Sequence, residues 1–441
     1  MKKIKLSPFA IVALSFLAII VFGTFLLKLP FSVKTGLEPL SWVDSLFTSA
    51  SAVCVTGLST IPNIAETLSI FGKIVLAFLI QVGGLGIVTL AIYVLVVLGI
   101  KIGVTERYVL KEALNQHHLG GMIKLVRSIV LTSLVIESFG LVVNFIVFIQ
   151  DFSFLDALGH AAFHTVSSFN NAGFDILGAS SLQNYSSNVL LNINTMAMII
   201  IGGIGFIVIR DIVDKKSWKN LSLYSKIVIK TTLFLIVFGT LIIKLFEYSN
   251  ITWLEAMFTS VTTRTAGFST VNISMFSYST LVVIIIFMFI GASPNSTGGG
   301  IKTTTVYIMF KSITSFLLGK PFITHKRKIE DQNKNKAFVL VTLAFAVTIF
   351  MFLVVSLIEA KNTSYNMTFL EVLFETFSAF GTVGLSMGIT PYLMPGSKVL
   401  LALLMFIGRL GPITIFGIMN KNWGHPETTH VNYAVEKILV G

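Results

Sequence analysis

Long apolar runs near residues 8–28, 70–100, 123–149, 188–209, 226–246, 279–292, 337–358 and 398–419 alternate with shorter amphiphilic stretches at 42–60, 154–176, 253–270 and 369–388. The long runs have about the 20 residues needed to cross a hydrocarbon core, and the short ones are too short and too polar to do so. Polar, irregular backbone at membrane depth survives only where protein or a water-filled cavity surrounds it, so each short stretch reads as a re-entrant segment. The pattern predicts eight transmembrane helices and four re-entrant half-helices, in a repeating order of helix, half-helix with loop, helix. The expected fold is all-α integral membrane, with four pseudo-symmetric repeats around a central pore. The repeats run over residues 1–100, 101–220, 221–320 and 321–441.

Each repeat carries the same three-part cassette. It opens with a capping-box spacing: Ser41-Trp42-Val43-Asp44, Ser153-Phe154-Leu155-Asp156, Thr252-Trp253-Leu254-Glu255 and Thr368-Phe369-Leu370-Glu371. One such match is common at helix starts, but four at equivalent places mark four short helices. Each short helix would point its partially negative C-terminal end toward the axis, where it favours a cation. A first glycine follows each acid by 13, 17, 12 and 13 residues, at Gly57, Gly173, Gly267 and Gly384. A second follows after a further 26, 29, 24 and 24 residues, at Gly83, Gly202, Gly291 and Gly408.

The stretches ending in the first glycines are Cys54-Val55-Thr56-Gly57, Asn170-Asn171-Ala172-Gly173, Arg264-Thr265-Ala266-Gly267 and Gly381-Thr382-Val383-Gly384. Small or polar residues ending in glycine suit a backbone that turns its carbonyls toward an ion. A ring of such carbonyls can replace the water shell of a potassium ion. The plainer alternative, glycine for close helix packing, explains one glycine better than four in register.

The third repeat departs from the others. Gly291 to Thr305 places Pro294, Gly298, Gly299 and Gly300 where the other second helices are apolar. Proline removes a backbone donor and each glycine costs about 1 kcal/mol relative to alanine, so helix is not expected there. A loop beneath the pore segments, within residues 291–305, is the simplest reading. In the fourth repeat Arg409 interrupts an apolar run near mid-membrane, where a charge is expensive and faces the interior. Lys302, just past the glycine run, is a similar and weaker candidate. For Gly83-Gly84-Leu85-Gly86 and Gly202-Gly203-Ile204-Gly205, packing around a narrow axis is the favoured reading.

The cassettes resemble those of the Trk/Ktr/HKT superfamily of potassium transporters over essentially the whole chain. Asn170-Asn171-Ala172-Gly173-Phe174, Arg264-Thr265-Ala266-Gly267-Phe268 and the stretch Phe374 to Gly384 carry most of the likeness. Eight helices without an extra N-terminal pair resemble the Ktr-type membrane subunit. The resemblance implies potassium held by backbone carbonyls of the four stretches, with the 291–305 loop and Arg409 as an intramembrane gate. Glycine at all four key positions goes with potassium preference in that family, and sodium-preferring uptake is the alternative. It also implies a homodimer seated on a cytosolic ring of nucleotide-binding regulators, with the tail Tyr433 to Gly441 at the dimer interface.

Composition agrees. The chain is 54% hydrophobic and 12% charged, against roughly 25% charged in soluble domains. The net charge of +12 does not indicate nucleic acid, because 23 of the 32 Lys and Arg lie in five clusters that alternate with cation-poor segments. That is the positive-inside pattern and places both termini in the cytoplasm of a multi-pass plasma-membrane protein. The same clusters can attract anionic lipid. Cys54 is the only cysteine, which excludes an intramolecular disulfide. No cofactor is expected in this chain. An intramembrane protease is disfavoured because Ser293 has no histidine on the following helices at membrane depth. An inverted-repeat solute transporter is disfavoured because the charge bias puts all four half-helices on one side. His160 and His164 lack a third metal ligand, His117 and His118 lie in a cytoplasmic connection, and the sequons at Asn362 and Asn366 read as chance.

Overall fold

The computed structural model describes residues 7–114, 120–324, 327–411 and 414. The first repeat contains α1 (Pro8–Lys28), the half-helix α2 (Trp42–Val53), a short α3 (Ile64–Thr67), then α4 (Ile70–Leu85) and α5 (Ile87–Val97). A connecting helix, α6 (Val104–Ala113), leads to α7 (Met122–Phe148), half-helix α8 (Phe154–Phe169), α9 (Val189–Ile204) and α10 (Phe206–Lys215). The third repeat has α11 (Leu223–Phe246), half-helix α12 (Trp253–Thr262), α13 (Tyr278–Phe289) and α14 (Thr303–Leu317). The fourth has α15 (Asp331–Glu359), half-helix α16 (Phe369–Gly381) and α17 (Pro395–Leu410).

Among the described residues, four helices are long and apolar enough to span a membrane: α1, α7, α11 and α15, the first helix of each repeat. The second helices differ from the expected single spans. α4 and α5 meet at 94°, and α9 and α10 at 95°. In both pairs the break is one glycine in a positive-φ conformation, Gly86 at 85° and Gly205 at 92°, which helix geometry does not accommodate. The third is divided into α13 and α14 by the glycine-rich loop. Among the described residues the apolar runs therefore resolve into four uninterrupted spans, two bent pairs, the divided helix of repeat 3, and α17 in repeat 4, whose run continues outside the described residues.

All four half-helices start as their sequences require. The side chains of Ser41, Ser153, Thr252 and Thr368 accept the N3 amides of Asp44, Asp156, Glu255 and Glu371. Only the two glutamates complete a reciprocal box, each taking the cap residue's own amide at 2.7 Å. Aspartate is one methylene shorter and binds the cap hydroxyl instead, at 2.6 and 2.7 Å.

The end of each first helix is tied to the start of its repeat's second helix, by different residues each time. In repeat 1 the Ser69 amide donates to Ser32 O at 3.0 Å. Asp151 accepts the Tyr185 hydroxyl at 2.8 Å in repeat 2, and Tyr185 O accepts Asn192 Nδ2 at 2.9 Å. Glu247 accepts the Ser277 amide at 2.8 Å, and Glu359 accepts the Met394 amide at 2.9 Å. These clamps hold each half-helix between two longer helices, so the phenylalanines on its packed face, such as Phe47, Phe169, Phe258 and Phe374, become fully buried.

The circle is closed between repeats 1 and 4 by Lys398 Nζ on α17, 2.8 Å from Asp44 Oδ1 on α2. Burial pushes the Asp44 carboxyl up, but the Lys398 ammonium and the Ser41 hydroxyl outweigh it and hold its pKa below the ordinary value. A depressed carboxyl pKa stabilises the fold above the unfolded value near pH 4 and ceases to do so as pH falls through the folded one. Lys398→Met should therefore lower stability by up to about 1 kcal/mol at neutral pH. The gap from wild type should close as pH drops below about 4. Thermal unfolding of the detergent-solubilised pair measures this, and a gap independent of pH would remove the ion pair from the account.

Candidate functional site

Each half-helix ends in the same backbone figure. Val55, Asn171, Thr265 and Thr382 adopt left-handed φ of 57°, 58°, 70° and 50°, and two residues later Gly57, Gly173, Gly267 and Gly384 adopt 99°, 69°, 85° and 90°. The intervening amide reaches back into the helix. Thr56 N donates to Ser51 O, Ala172 N to Ser167 O and Val383 N to Ser378 O at 2.8–2.9 Å, while Ala266 N reaches Thr262 O at 3.0 Å. In repeats 1 and 4 the serine behind the strand also takes the glycine amide, Ser51 Oγ at 3.1 Å and Ser378 Oγ at 3.0 Å. Nothing in the local sequence marks Ser51 and Ser378 for this role.

The four strands meet at their glycines. A Cβ placed on Gly57 would lie within 2.5 Å of Ala172 O, one on Gly173 within 2.5 Å of Ala266 O, one on Gly267 within 2.5 Å of Val383 O, and one on Gly384 within 2.5 Å of Thr56 O. The contacts run from repeat 1 to 2, 2 to 3, 3 to 4 and back to 1, so the ring closes. The ring contacts join the last two members of each predicted quartet: Thr56 and Gly57, Ala172 and Gly173, Ala266 and Gly267, and Val383 and Gly384. Gly381 is still inside α16, and Cys54 and Asn170 cap α2 and α8, so in repeats 1, 2 and 4 the first member belongs to the helix end, whereas Arg264 lies in the turn just past the Thr263 cap of α12.

Gly83 and Gly202 pack as the sequence suggested, and Gly408 packs in the same way. Added Cβ atoms at Gly83, Gly202 and Gly408 would collide with Val53 O, Phe169 O and Phe380 O at the half-helix ends. At Gly291 the colliding atom is instead Gly299 O, part of the loop that replaces helix in repeat 3. That loop folds on itself through Gly291 N to Ile301 O at 2.9 Å and Ala292 N to Gly299 O at 3.3 Å.

The helix breaks explain how the loop is held. The break at Gly205 frees Gly202 O and Gly203 O, which accept Thr297 N at 3.2 Å and Ser293 N at 3.0 Å, and frees Phe206 N, which donates to Asn295 O at 2.9 Å. The matching break at Gly86 leaves Gly83 O and Gly84 O to the guanidinium of Arg409, which also donates to Thr297 O in the loop. Lys302 Nζ donates to Gly298 O at 2.8 Å, and the Tyr224 hydroxyl to Pro294 O at 2.9 Å. Gly300 N reaches Gly408 O at 3.3 Å.

Successive loop residues meet the left-handed residues of three strands. Thr297 Oγ1 is 3.3 Å from Asn171 Oδ1, and Gly299 N donates to Thr382 Oγ1 at 3.0 Å. Between them Gly298 has no room for a Cβ because Thr265 Oγ1 occupies that space. The loop thus lies directly against the glycine ring. A cavity of about 320 Å³ adjoins it, lined by Gly84, Phe206, Asn295, Gly298, Lys302 and Arg409 among others. Neither Lys302 nor Arg409 makes an ion pair among the described residues.

His164 Nε2 bonds Thr195 Oγ1 at 2.8 Å and is buried, a packed core histidine. No cluster of three metal-ligating side chains occurs among the described residues. His117, His118 and the tail Tyr433 to Gly441 lie outside the described residues.

A multi-pass membrane fold whose pseudo-repeats converge on a ring of backbone carbonyls defines a membrane transport protein. The chain belongs to the TrkH family of cation transport proteins, whose sequence model matches residues 7–423. Ktr system potassium uptake protein B of Bacillus subtilis is 37% identical over 451 residues, covering 100% of this chain and 98% of that protein. Potassium/sodium uptake protein NtpJ of Enterococcus hirae is 36% identical over 448 residues, covering 99% and 98%. The crystal structure of the potassium transporter TrkH from Vibrio parahaemolyticus has the same fold, with a TM-score of 0.72 at 20% identity over 96% of this chain and 87% of that one.

Packing at the second glycines predicts a contrast within one residue type. Gly83→Ala forces a methyl against Val53 backbone and should cost about 3 kcal/mol or more, since overpacking against a rigid neighbour is destabilising. Gly159→Ala in α8, with nothing within 4 Å of its Cβ, should be neutral or gain up to about 1 kcal/mol of helix propensity. Thermal stability of the two purified variants decides it, and equal behaviour would contradict the packing assignment.

Proposed function

We propose that this protein mediates potassium uptake, with the carbonyls of the glycine ring as the selectivity filter and the loop after α13 as its gate. The closure of the four Gly–carbonyl contacts into one ring supports this reading, because a backbone oxygen from each of the four repeats takes part in it. A backbone ring can exchange for the hydration shell of a cation without the desolvation that a charged side chain would require. Relatives named as potassium uptake proteins match this chain nearly end to end, which supports potassium as the cation. The filter is assigned to Cys54–Gly57, Asn170–Gly173, Arg264–Gly267 and Gly381–Gly384. The gate is assigned to Gly291, Pro294, Gly298–Gly300, Lys302 and Arg409.

The gate works electrostatically as well as sterically in this reading. Arg409 bridges the loop to the broken end of α4 and brings positive charge beneath the ring, where a cation leaving it must pass. Withdrawing the loop requires giving up the bonds from Thr297, Gly299 and Arg409 together. We further assign the protein to a two-component system: a homodimer whose gate is set by a separate cytosolic nucleotide-binding subunit. A relative named as part of a Ktr system supports this assignment. Both termini are assigned to the cytoplasm on the charge distribution, and the repeat boundaries to residues 1–100, 101–220, 221–320 and 321–441.

Growth of a potassium-uptake-deficient host at limiting potassium tests the function. Gly384→Ser places a side chain against Thr56 O in the ring. It should lower K⁺ over Na⁺ preference by roughly tenfold, equivalent to about 1.4 kcal/mol. Unchanged preference in a well-expressed variant would move the filter elsewhere. Arg409→Ala and deletion of residues 296–299 should raise uptake per folded protein and weaken its dependence on the cytosolic subunit. Equal or lower flux in both, with normal assembly, would remove the gate assignment. In a Cys54→Ala background, a cysteine at Lys320 should label only from the cytoplasm and one at Lys361 only from outside, and the reverse would invert the topology.

A further inference from the structure

Glu137 lies at the middle of α7, between Ile136 and Ser138 in a largely apolar helix, and is buried. A carboxyl at that depth is expensive to keep and calls for a reason. Its partners are two amides. Gln81 Nε2 on α4 donates to both carboxylate oxygens, at 3.0 and 3.2 Å, and Asn170 Nδ2 lies 3.4 Å from Oε1. Asn170 Nδ2 also donates to Gln81 Oε1 at 2.7 Å and to Val166 O at 2.8 Å, so the three side chains form one network.

Asn170 caps α8 and immediately precedes left-handed Asn171 and the ring residues Ala172 and Gly173. Its Oδ1 is buried without a hydrogen-bond partner and rests on Gly84, which has no room for a Cβ on that side. The carbonyl of Gly84 in turn accepts Arg409. The network therefore joins a spanning helix, the broken end of α4 and the strand of the second repeat.

The third repeat has a counterpart. Arg264 stands at the same place before its glycine as Asn170 does, is buried, and donates through Nη2 to Thr232 on that repeat's own first helix at 3.3 Å. Cys54 and Gly381, the matching residues of repeats 1 and 4, have no side chain able to make such an anchor. Two of the four strands are thus held to a spanning helix by a polar side chain, and only the second through a carboxylate.

We propose that Glu137, acting through Gln81 and Asn170, is a positioning residue that sets how the glycine ring discriminates between cations. This rests on the reading of the ring as the filter. The carboxylate accepts from Gln81 Nε2 and so fixes the Gln81 amide, whose Oε1 in turn accepts the short bond from Asn170 Nδ2. Asn170 fixes the turn into Asn171, and that turn sets where Ala172 O stands in the ring. A hydrogen bond to a charged group is stronger than a neutral one, so the anchor resists the displacement that a smaller ion would induce.

The test is potassium-over-sodium preference, read by competition of each ion against ⁸⁶Rb⁺ uptake in proteoliposomes of the full-length protein. Glu137→Gln sets an amide donor against the Gln81 donor, and Gln81→Glu sets two carboxylates together. Each should reduce the preference by roughly fivefold or more. The exchange Gln81→Glu with Glu137→Gln keeps one acid and one amide. The relocated acid then accepts from Asn170 and from the amide introduced on α7, and the preference should return to within about twofold of wild type. Recovery in the exchange is the outcome a merely structural role would not give. Wild-type preference in the single variants, or equal loss in singles and exchange, overturns the proposal. Gln81→Met removes the donor at a half-buried position, and a folded Gln81→Met protein with undiminished preference overturns it as well. The wild-type preference tests the filter reading separately, since only ratios among variants bear on Glu137.

Discussion

The approach of one repeat's glycine to the next repeat's carbonyl is the contact on which the rest of this molecule depends. Each of Gly57, Gly173, Gly267 and Gly384 lies where any Cβ would strike a backbone oxygen, and each has a positive φ that disfavours other residues. Two independent requirements therefore select glycine at each position. The half-helices with their capped starts, the clamps at the helix ends and the buried phenylalanines all hold these four points at a common level. In the proposed filter, the four oxygens that these glycines meet would form a coordination shell set by the backbone and independent of side-chain rotamers.

Satisfying the backbone is the second constraint, and it explains features that would otherwise look unrelated. Buried amides and carbonyls need partners, more so at membrane depth, where water is scarce. The loop after α13 brings unpaired amides into the centre, and the break at Gly205 exposes carbonyls that receive them. The break at Gly86 exposes two more, and Arg409 takes those while also holding Thr297 O. The right-angle bends, the glycine-rich loop and the intramembrane arginine are parts of one hydrogen-bonded assembly. Moving one part leaves the others unpaired, which makes an arrangement of this kind switch between discrete states and not flex gradually.

Much of this was legible in the chain because local rules and position coincide. Capping-box spacing located the half-helices, four glycines in register located the ring, and Pro294 with Gly298, Gly299 and Gly300 located the loop. What remained hidden depends on tertiary contact. Gly83-Gly84-Leu85-Gly86 reads as a packing motif, and Gly83 does pack. Nothing local says that Gly86 turns the chain through a right angle, because the carbonyls this frees find their partner, Arg409, at the far end of the sequence. Ser51 and Ser378 look like ordinary hydroxyl residues until their strands turn back on them. Gln81, Glu137 and Asn170 come from three separate helices, and only the isolated acid in an apolar run hinted at the network.

Ion occupancy tests the central claim most directly. Crystals of the protein grown or soaked in rubidium, with anomalous scattering recorded at the rubidium edge, should show a peak bounded by the carbonyl oxygens of Thr56, Ala172, Ala266 and Val383. Excess sodium should displace it only weakly. A protein that transports rubidium yet gives its anomalous peak away from these four oxygens would contradict the account.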